Sequence, residues 1–318
     1  MTGAPVFLDA PTVRRHLDPG ACTHVMREAM TALSSGEVGQ LLRSFIPLGT
    51  GETFAIMPAA LSGQGGFGAK LVSVFARPDG KTHNGLVVLF DRESGQPVCV
   101  ADAGEITRIR TAAMSAAATD ALARPDAARL ALLGTGAQAR GHADAIRRIR
   151  PLGEIVVWGR DCKRAEALAA ELAALDDVAI RVAGSAEDAA ASADIICTVT
   201  ASTEPVLHGE WLQPGCHVNL VGSSGPMAAE TDTELLRRAR VFPDHRPHVV
   251  AHGGEFLRAV EAGEYGEDRL EAEIGSVFAG TAPGRQSADD ITVYKSLGHA
   301  VQDLAATAWL YRKLGTNE

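Results

Sequence analysis

The sequence predicts an α/β protein in which a doubly wound parallel sheet accompanies an α+β portion, and three observations predict it. From Arg129 onward, short apolar runs alternate with helical stretches, a pattern that demands a parallel sheet with helices on both faces. The first of those runs, Arg129-Leu130-Ala131-Leu132-Leu133, stops at Gly134-Thr135-Gly136-Ala137-Gln138-Ala139, a Gly-x-Gly-x-x-Ala turn that opens a helix. Ahead of it, strand-like runs follow one another without helices between them, closing with a hairpin turn from Asp91 to Pro97. A chain of 318 residues has room for two domains with their own cores.

Within residues 11–36, Pro11-Thr12-Val13 opens a short helix, and Ala21 to Leu33 carries apolar residues at helical spacing until Gly36 stops it. Strands are predicted at Arg43–Leu48, Thr53–Met57, Gly68–Phe75, Leu86–Phe90 and Val98–Ala101, forming a mainly antiparallel sheet. A helix from Glu105 to Ala123 leads into the alternating region. There the strands are Leu130–Leu133, Glu154–Trp158, Val178–Val182, Asp194–Val199 and His217–Val221, with helices at Gln138–Ile149, Cys162–Leu175 and Ala186–Ala193. A later strand at Arg240–Phe242 and helices at Glu255–Ala262 and Glu267–Phe278 complete it. Ile291–Tyr294 and a long helix from Gly298 to Leu314 read as a return to the first domain.

The glycine turn carries the chemistry of a dinucleotide site. Gly134 permits the sharp bend, Gly136 lets a pyrophosphate approach the backbone, and Ala139 lets the helix pack close to the strand. Free N–H groups at the helix start then face the phosphates. In such folds the second strand normally ends in an acid that binds the ribose of NAD. Here Glu154–Trp158 runs into Gly159-Arg160-Asp161, with Lys163 and Arg164 behind it. A guanidinium at that position pairs with a 2′-phosphate, so NADP(H) is favoured and NAD(H) is the alternative.

Lys70 interrupts an apolar strand, and Arg110 sits in a helix of small residues; an anionic substrate would explain both, and taken singly each also reads as an ordinary surface charge. No Gly-x-Ser-x-Gly elbow follows a strand, which argues against a serine hydrolase. Ser223 and Ser224 instead stand at a strand end, where a parallel sheet places its ligands. His245 and His248 lie beside prolines and read as loop residues, and no metal is expected. The formal net charge of −9 argues against nucleic acid or an anionic membrane as partner. Five scattered cysteines without Cys-x-x-Cys spacing fit reduced thiols in a cytoplasmic protein.

Several stretches, in order, together resemble the ornithine cyclodeaminase/mu-crystallin family of reductases and deaminating enzymes. They are Lys70-Leu71-Val72, Thr107-x-x-Arg110-Thr111-Ala112-Ala113, the Gly134 turn and Asp194-Ile195-Ile196-Cys197-Thr198-Val199-Thr200. Glu204-Pro205-Val206-Leu207-x-Gly209-Glu210-Trp211 and Lys295-Ser296-Leu297-Gly298 complete the set, so the likeness runs over nearly the whole chain. It implies a Rossmann NAD(P)-binding domain, residues 123–291, inserted into an α+β substrate-binding and dimerisation domain, residues 1–122 plus 292–318, in a homodimer.

The resemblance also implies an amino- or imino-acid substrate whose carboxylate is held at Arg43, Lys70 and Arg110. It places the cofactor against Thr111, Gly134, Thr135, Gly136, Ala137, Gln138, Trp158, Arg160, Lys163, Thr198, Val199, Thr200, Val221, Gly222 and Ser296. In cyclodeaminases an aspartate after the strand matching His217–Val221 serves the substrate amine and the attacking water. The Gly-x-x-x-Pro frame puts Ser224 there instead, which disfavours ornithine cyclodeamination. The serine, the Trp-x-Arg ending of the second strand and Glu204-Pro205 look like the ketimine reductase members. Reduction of a cyclic ketimine carboxylate is therefore expected, with Ser224 beside the ring nitrogen. Ornithine cyclodeamination, an alanine-dehydrogenase-like reaction and non-catalytic binding are the alternatives.

Overall fold

The computed structural model describes residues 4–77, 80–174 and 178–315. The chain divides into two compact units, residues 1–113 with 299–318 and residues 114–298, and the boundary falls inside one long helix.

The chain opens with β1 (Val6–Leu8), α1 (Ala10–His16) and α2 (Pro19–Ser34). Asp9 and Asp18 cap the two helices by accepting from Thr12 N and Ala21 N, and a proline stands in the first turn of each. Then come β2 (Gly39–Gln40), β3 (Ser44–Gly49), β4 (Glu52–Ala60), β5 (Phe67–Arg77), β6 (Gly80–Phe90), β7 (Pro97–Asp102) and α3 (Ala103–Leu122). The sheet runs β1-β7-β6-β5-β4-β2, with β3 also on β4. It is antiparallel except for β1, which lies parallel to β7 and is too short to announce itself in the sequence. β3 is exposed along its whole length, including Phe45, Ile46 and Leu48.

The second unit builds β8 (Arg129–Leu133), α4 (Ala137–Arg147), β9 (Glu154–Trp158), α5 (Cys162–Ala173), β10 (Ala179–Val182), α6 (Ala186–Ala190), β11 (Ile195–Thr198) and β12 (His217–Leu220). It continues with α7 (Thr233–Arg238), β13 (Arg240–Pro243), α8 (Arg246–His252), α9 (Gly254–Glu261), α10 (Ile274–Phe278) and β14 (Thr292–Lys295). The expected end of the fifth helix, Leu175, lies outside the described residues. α11 (Ala300–Gly315) belongs to the first unit, where it packs on α2 and across β4, β5 and β6. Gly68 of β5 admits no side chain, because a Cβ there would collide with Val88 O of β6.

The second sheet is wholly parallel in the order β10-β9-β8-β11-β12-β14-β13. The strand order reverses between β8 and β11, the switch point at which doubly wound sheets bind ligands. Among the described residues, no helix is long and apolar enough to cross a membrane.

Three expectations need correction. Ile291–Tyr294 does not return to the first unit: as β14 it fills the slot between β12 and β13 of the parallel sheet, with all four residues buried. His245 and His248 are not loop residues. His245 is the N-cap of α8 and His248 lies within it, since Pro247 is tolerated in a first turn. The helix expected over Glu267–Phe278 breaks into a 3₁₀ turn, Glu267–Arg269, and α10. At the break Glu271 N donates to Val241 O at 2.9 Å instead of continuing a helix, and the Arg246 guanidinium donates to the carbonyls of Glu267, Leu270 and Glu271.

Candidate functional site

The chemistry divides between two clusters, one in each unit. In the first unit, Lys70 stands on β5 between Met57 of β4 and Val87 of β6, facing the helices and only 6% exposed. Its Nζ donates to Thr107 Oγ1 at 2.6 Å and to Asp303 Oδ1 at 3.3 Å. The Thr107 hydroxyl passes its own proton to Ala103 O at 2.6 Å, so its lone pairs are turned toward the ammonium. Arg110, one turn further along α3, donates from Nε to the same Asp303 Oδ1 at 2.9 Å and from Nη1 to Gln302 Oε1 at 2.6 Å. Burial pulls the Lys70 pKa down to about 8; Asp303 opposes this, while the positive charges of Arg110 and Arg43 add to it. Arg43 is partly buried just ahead of β3. Thr111 is buried on α3 beside Arg110.

In the second unit, the glycine turn has the geometry its sequence calls for. Gly134 has φ +131°, and a Cβ there would stand 2.7 Å from Val199 O, so only glycine fits under the end of β11. Gly136 is the N-cap of α4, and a Cβ on it would meet no atom within 4 Å. Thr135 is partly buried, Gly136 and Ala137 are exposed, and Ala139 is fully buried. The start of α4 is thus open above and tightly packed below. That is the shape a pyrophosphate needs, and the residues present fit a dinucleotide. Gln138 lies in the first turn of α4 and gives its backbone carbonyl to buried His142.

Trp158 closes β9, and its carbonyl accepts from Gly134 N at 2.9 Å. Asp161 caps α5 by accepting from Lys163 N at 3.0 Å and Arg164 N at 3.3 Å. Arg160 and Lys163 are exposed, and Arg160 forms no ion pair with any described residue.

The ends of β11 and β12 are tied by one carboxylate that the sequence did not single out. Glu230, fully buried, accepts from Thr198 Oγ1 at 2.7 Å, Thr200 N at 2.6 Å, Thr200 Oγ1 at 2.7 Å, Gly222 N at 2.6 Å and Ser223 N at 3.2 Å. Burial raises its pKa, and the Thr200 and Thr198 hydrogen bonds and the charge of Lys295 pull the other way. Gly222 is required here, since a Cβ would stand 2.1 Å from Thr200 O.

Next to it, Lys295 of β14 donates to Ser223 O at 2.7 Å and Ser223 Oγ at 2.6 Å and pairs with Glu255 Oε2 at 2.8 Å. Ser223 Oγ itself donates to Glu255 Oε1. Burial pushes the Glu255 pKa up, but the Lys295 charge and the hydrogen bonds from Lys295, Ser223 and Glu230 N together hold the carboxyl below its usual range. The neighbouring serines therefore differ: Ser223 is fully buried in this ion pair, while Ser224 is exposed. Val199 N donates to Leu133 O at 2.9 Å and Val221 N to Thr198 O at 3.1 Å. Ser296 N reaches Leu220 O at 2.9 Å, and these bonds gather Val199, Val221 and Ser296 at the C-terminal edge of the sheet.

The structure thus brings Lys70 and Arg110 together through Asp303, and gathers Thr198, Val199, Thr200, Val221, Gly222 and Ser296 at one sheet edge. Sequence reading missed Glu230, Glu255 and Asp303 as site groups. The available signal was each acid's place within an apolar or small-residue run, Ala228-Ala229-Glu230, Gly253-Gly254-Glu255-Phe256 and Val301-Gln302-Asp303-Leu304.

A parallel sheet of this order, with a Gly-x-Gly-x-x-Ala turn at its switch point and a separate α+β unit holding buried cations, defines a Rossmann-type dinucleotide fold joined to a second domain. The ornithine cyclodeaminase/mu-crystallin family model matches residues 4–318, and the chain belongs to that family. It is 35% identical over 319 residues to the ketimine reductase mu-crystallin of Mus musculus, covering 98% of each chain. Among solved structures it is similar to Thermococcus litoralis Δ(1)-pyrroline-2-carboxylate reductase in complex with NADH and L-proline. There the TM-score is 0.93 at 27% identity, over 98% of each chain. It also resembles an archaeal alanine dehydrogenase dimer with bound NAD, with TM-score 0.92 at 29% identity, over 99% of this chain and 97% of the other.

Proposed function

We propose that the protein reduces a cyclic ketimine carboxylate, Δ1-pyrroline-2-carboxylate or Δ1-piperideine-2-carboxylate, to proline or pipecolate. The observation that carries this reading is the buried pair Lys70 and Arg110, whose two cations share the single carboxylate of Asp303. Two cations on one carboxylate leave a net positive charge, and a substrate carboxylate supplies the balance. The relatives' names as ketimine and pyrroline-carboxylate reductases support the choice of substrate.

The unit of residues 1–113 with 299–318 is read as the substrate-binding and dimerisation domain, and that of 114–298 as the dinucleotide domain. A nicotinamide dinucleotide, when bound, supplies the hydride. The turn Gly134-Thr135-Gly136-Ala137-Gln138 receives the pyrophosphate, and Thr111, Thr198, Val199, Thr200, Val221, Gly222 and Ser296 border the nicotinamide. Trp158, Arg160 and Lys163 meet the adenosine end, where the uncommitted guanidinium of Arg160 favours NADP(H). Arg43 and Arg110 clamp the carboxylate, which fixes the imine carbon. Lys70 holds a proton next to it, and a protonated imine is the better hydride acceptor. Exposed Ser224 bonds the ring nitrogen or its water, and its lack of charge disfavours deamination of ornithine. The apolar side chains exposed on β3 favour a homodimer, as in the archaeal dehydrogenase, working in the cytoplasm.

The test is initial-rate oxidation of NADPH and NADH with each cyclic imine, with ornithine plus NAD+ run alongside. NADPH-dependent turnover of an imine is expected. Ammonia and proline from ornithine, with inert imines, would overturn the reading.

A further inference from the structure

Asp303 has been given no role beyond pairing with Lys70 and Arg110, yet it lies at the centre of the cation cluster. It stands in the first turn of α11, fully buried, in the stretch Val301-Gln302-Asp303-Leu304. A buried carboxylate costs several kcal/mol unless cations and hydrogen bonds compensate it. Here one oxygen does all of that work: Oδ1 accepts from Arg110 Nε at 2.9 Å and Lys70 Nζ at 3.3 Å, while Oδ2 is buried and accepts from no described residue. The arrangement suits setting two cations against each other better than saturating a carboxylate.

The charged groups acting on Lys70 from the packed elements are Asp303 on α11, Arg110 on α3 and Arg43 ahead of β3, beside the neutral hydroxyl of Thr107. Cys22 of α2 faces the Arg110–Asp303 pair, and burial pushes its thiol up to about 12, so it stays uncharged at neutral pH. Among the described residues, Asp303 is the one carboxylate that pairs with both Lys70 and Arg110.

We propose that Asp303 is a positioning residue that fixes Lys70 and Arg110 against each other and holds Lys70 as an ammonium, the form that carries a proton to the substrate nitrogen. This rests on the reading of Lys70 and Arg110 as substrate-facing groups. Without the carboxylate charge, Lys70 and Arg110 face each other with no anion between them, and lysine is the one that can shed its proton. In Asp303→Asn the amide oxygen can still accept from Arg110 Nε. With Lys70 neutral, the variant keeps the same net positive charge as the native cluster. Binding of a carboxylate then survives and proton delivery does not.

The experiment follows kcat and KM against pH with Δ1-pyrroline-2-carboxylate and NADPH or NADH, in the native protein, Asp303→Asn, Asp303→Glu and Lys70→Ala. Native activity should fall on the alkaline side near pH 8, where Lys70 loses its proton. In D303N that limb should move down by about 1–3 units, as removal of a neighbouring opposite charge predicts. At neutral pH kcat should drop roughly tenfold with KM within about threefold. D303E, which restores the charge in a worse shape, should return the limb toward pH 8; a purely structural role predicts that the better-fitting Asn outperforms Glu instead. Asp303→Ser, neutral and smaller, replaces D303N should that protein fail to fold. An alkaline limb unmoved in the neutral variant, with Lys70→Ala inactive, overturns the Asp303 inference alone. Full activity in Lys70→Ala overturns the underlying reading of Lys70.

Discussion

Each unit of this protein buries one lysine beside a carboxylate, and the two are handled in opposite ways. Lys295 is saturated: Glu255 pairs with it at 2.8 Å, and the Ser223 carbonyl and hydroxyl take its other protons at 2.7 and 2.6 Å. Lys70 has a threonine hydroxyl and one carboxylate oxygen 3.3 Å away that it shares with Arg110. A fully compensated buried cation ties its neighbours together, whereas one that shares its only carboxylate keeps positive charge to offer the proposed substrate anion. Burial alone does not separate the two cases; the count of partners does.

The strongest way to break this comparison is to remove Lys70. Lys70→Ala should lower kcat/KM about a thousandfold, the scale of a lost general acid. Lys70→Met should leave thermal stability at neutral pH unchanged or higher. The reason lies in the direction of the shift: a lysine held at about 8 in the folded chain and at 10.5 when unfolded binds its proton more weakly in the fold. The penalty of about 3 kcal/mol is present in full below pH 8 and relieved as the pH rises toward 10.5. Native stability should therefore gain from this group across that window, and the methionine variant should lack the gain. A variant that melts several degrees lower would place Lys70 with Lys295 as a structural cation.

The opposite expectation holds for Lys295→Met. It strands Glu255 and should cost about 3–5 kcal/mol in urea unfolding. A loss below about 1 kcal/mol would mean that the Glu255 pair is not what holds the β12 and β14 exits together. The smallest effect sharpens the cofactor assignment. Arg160→Asp should shift the ratio of kcat/KM for NADPH over NADH about tenfold toward NADH, as expected for one exposed charge on a phosphate. An unchanged ratio would remove Arg160 from phosphate recognition.

Much of this was legible in the chain. The β8–α4 turn announced itself because glycine is needed at φ +131° and a small residue is needed where Ala139 meets the strand. Lys70 and Arg110 stood out because charge is rare among apolar and small neighbours. The place of β14 was not legible, since Thr292–Lys295 is buried throughout, which gives no alternation, and chain order does not give strand order in a parallel sheet. Nor was the division of labour between Ser223 and Ser224, which depends on which hydroxyl meets Lys295. Glu230 reaches Thr198 across 32 residues, a pairing that local pattern does not encode.

The exposed strand β3 has one more consequence. Pro47 lies within it and has no N–H to offer, as suits a strand at a sheet edge. Phe45, Ile46 and Leu48 remain open to contact through their side chains. The proline thus works as a gatekeeper, guarding an apolar strip against runaway sheet growth in the newly made chain.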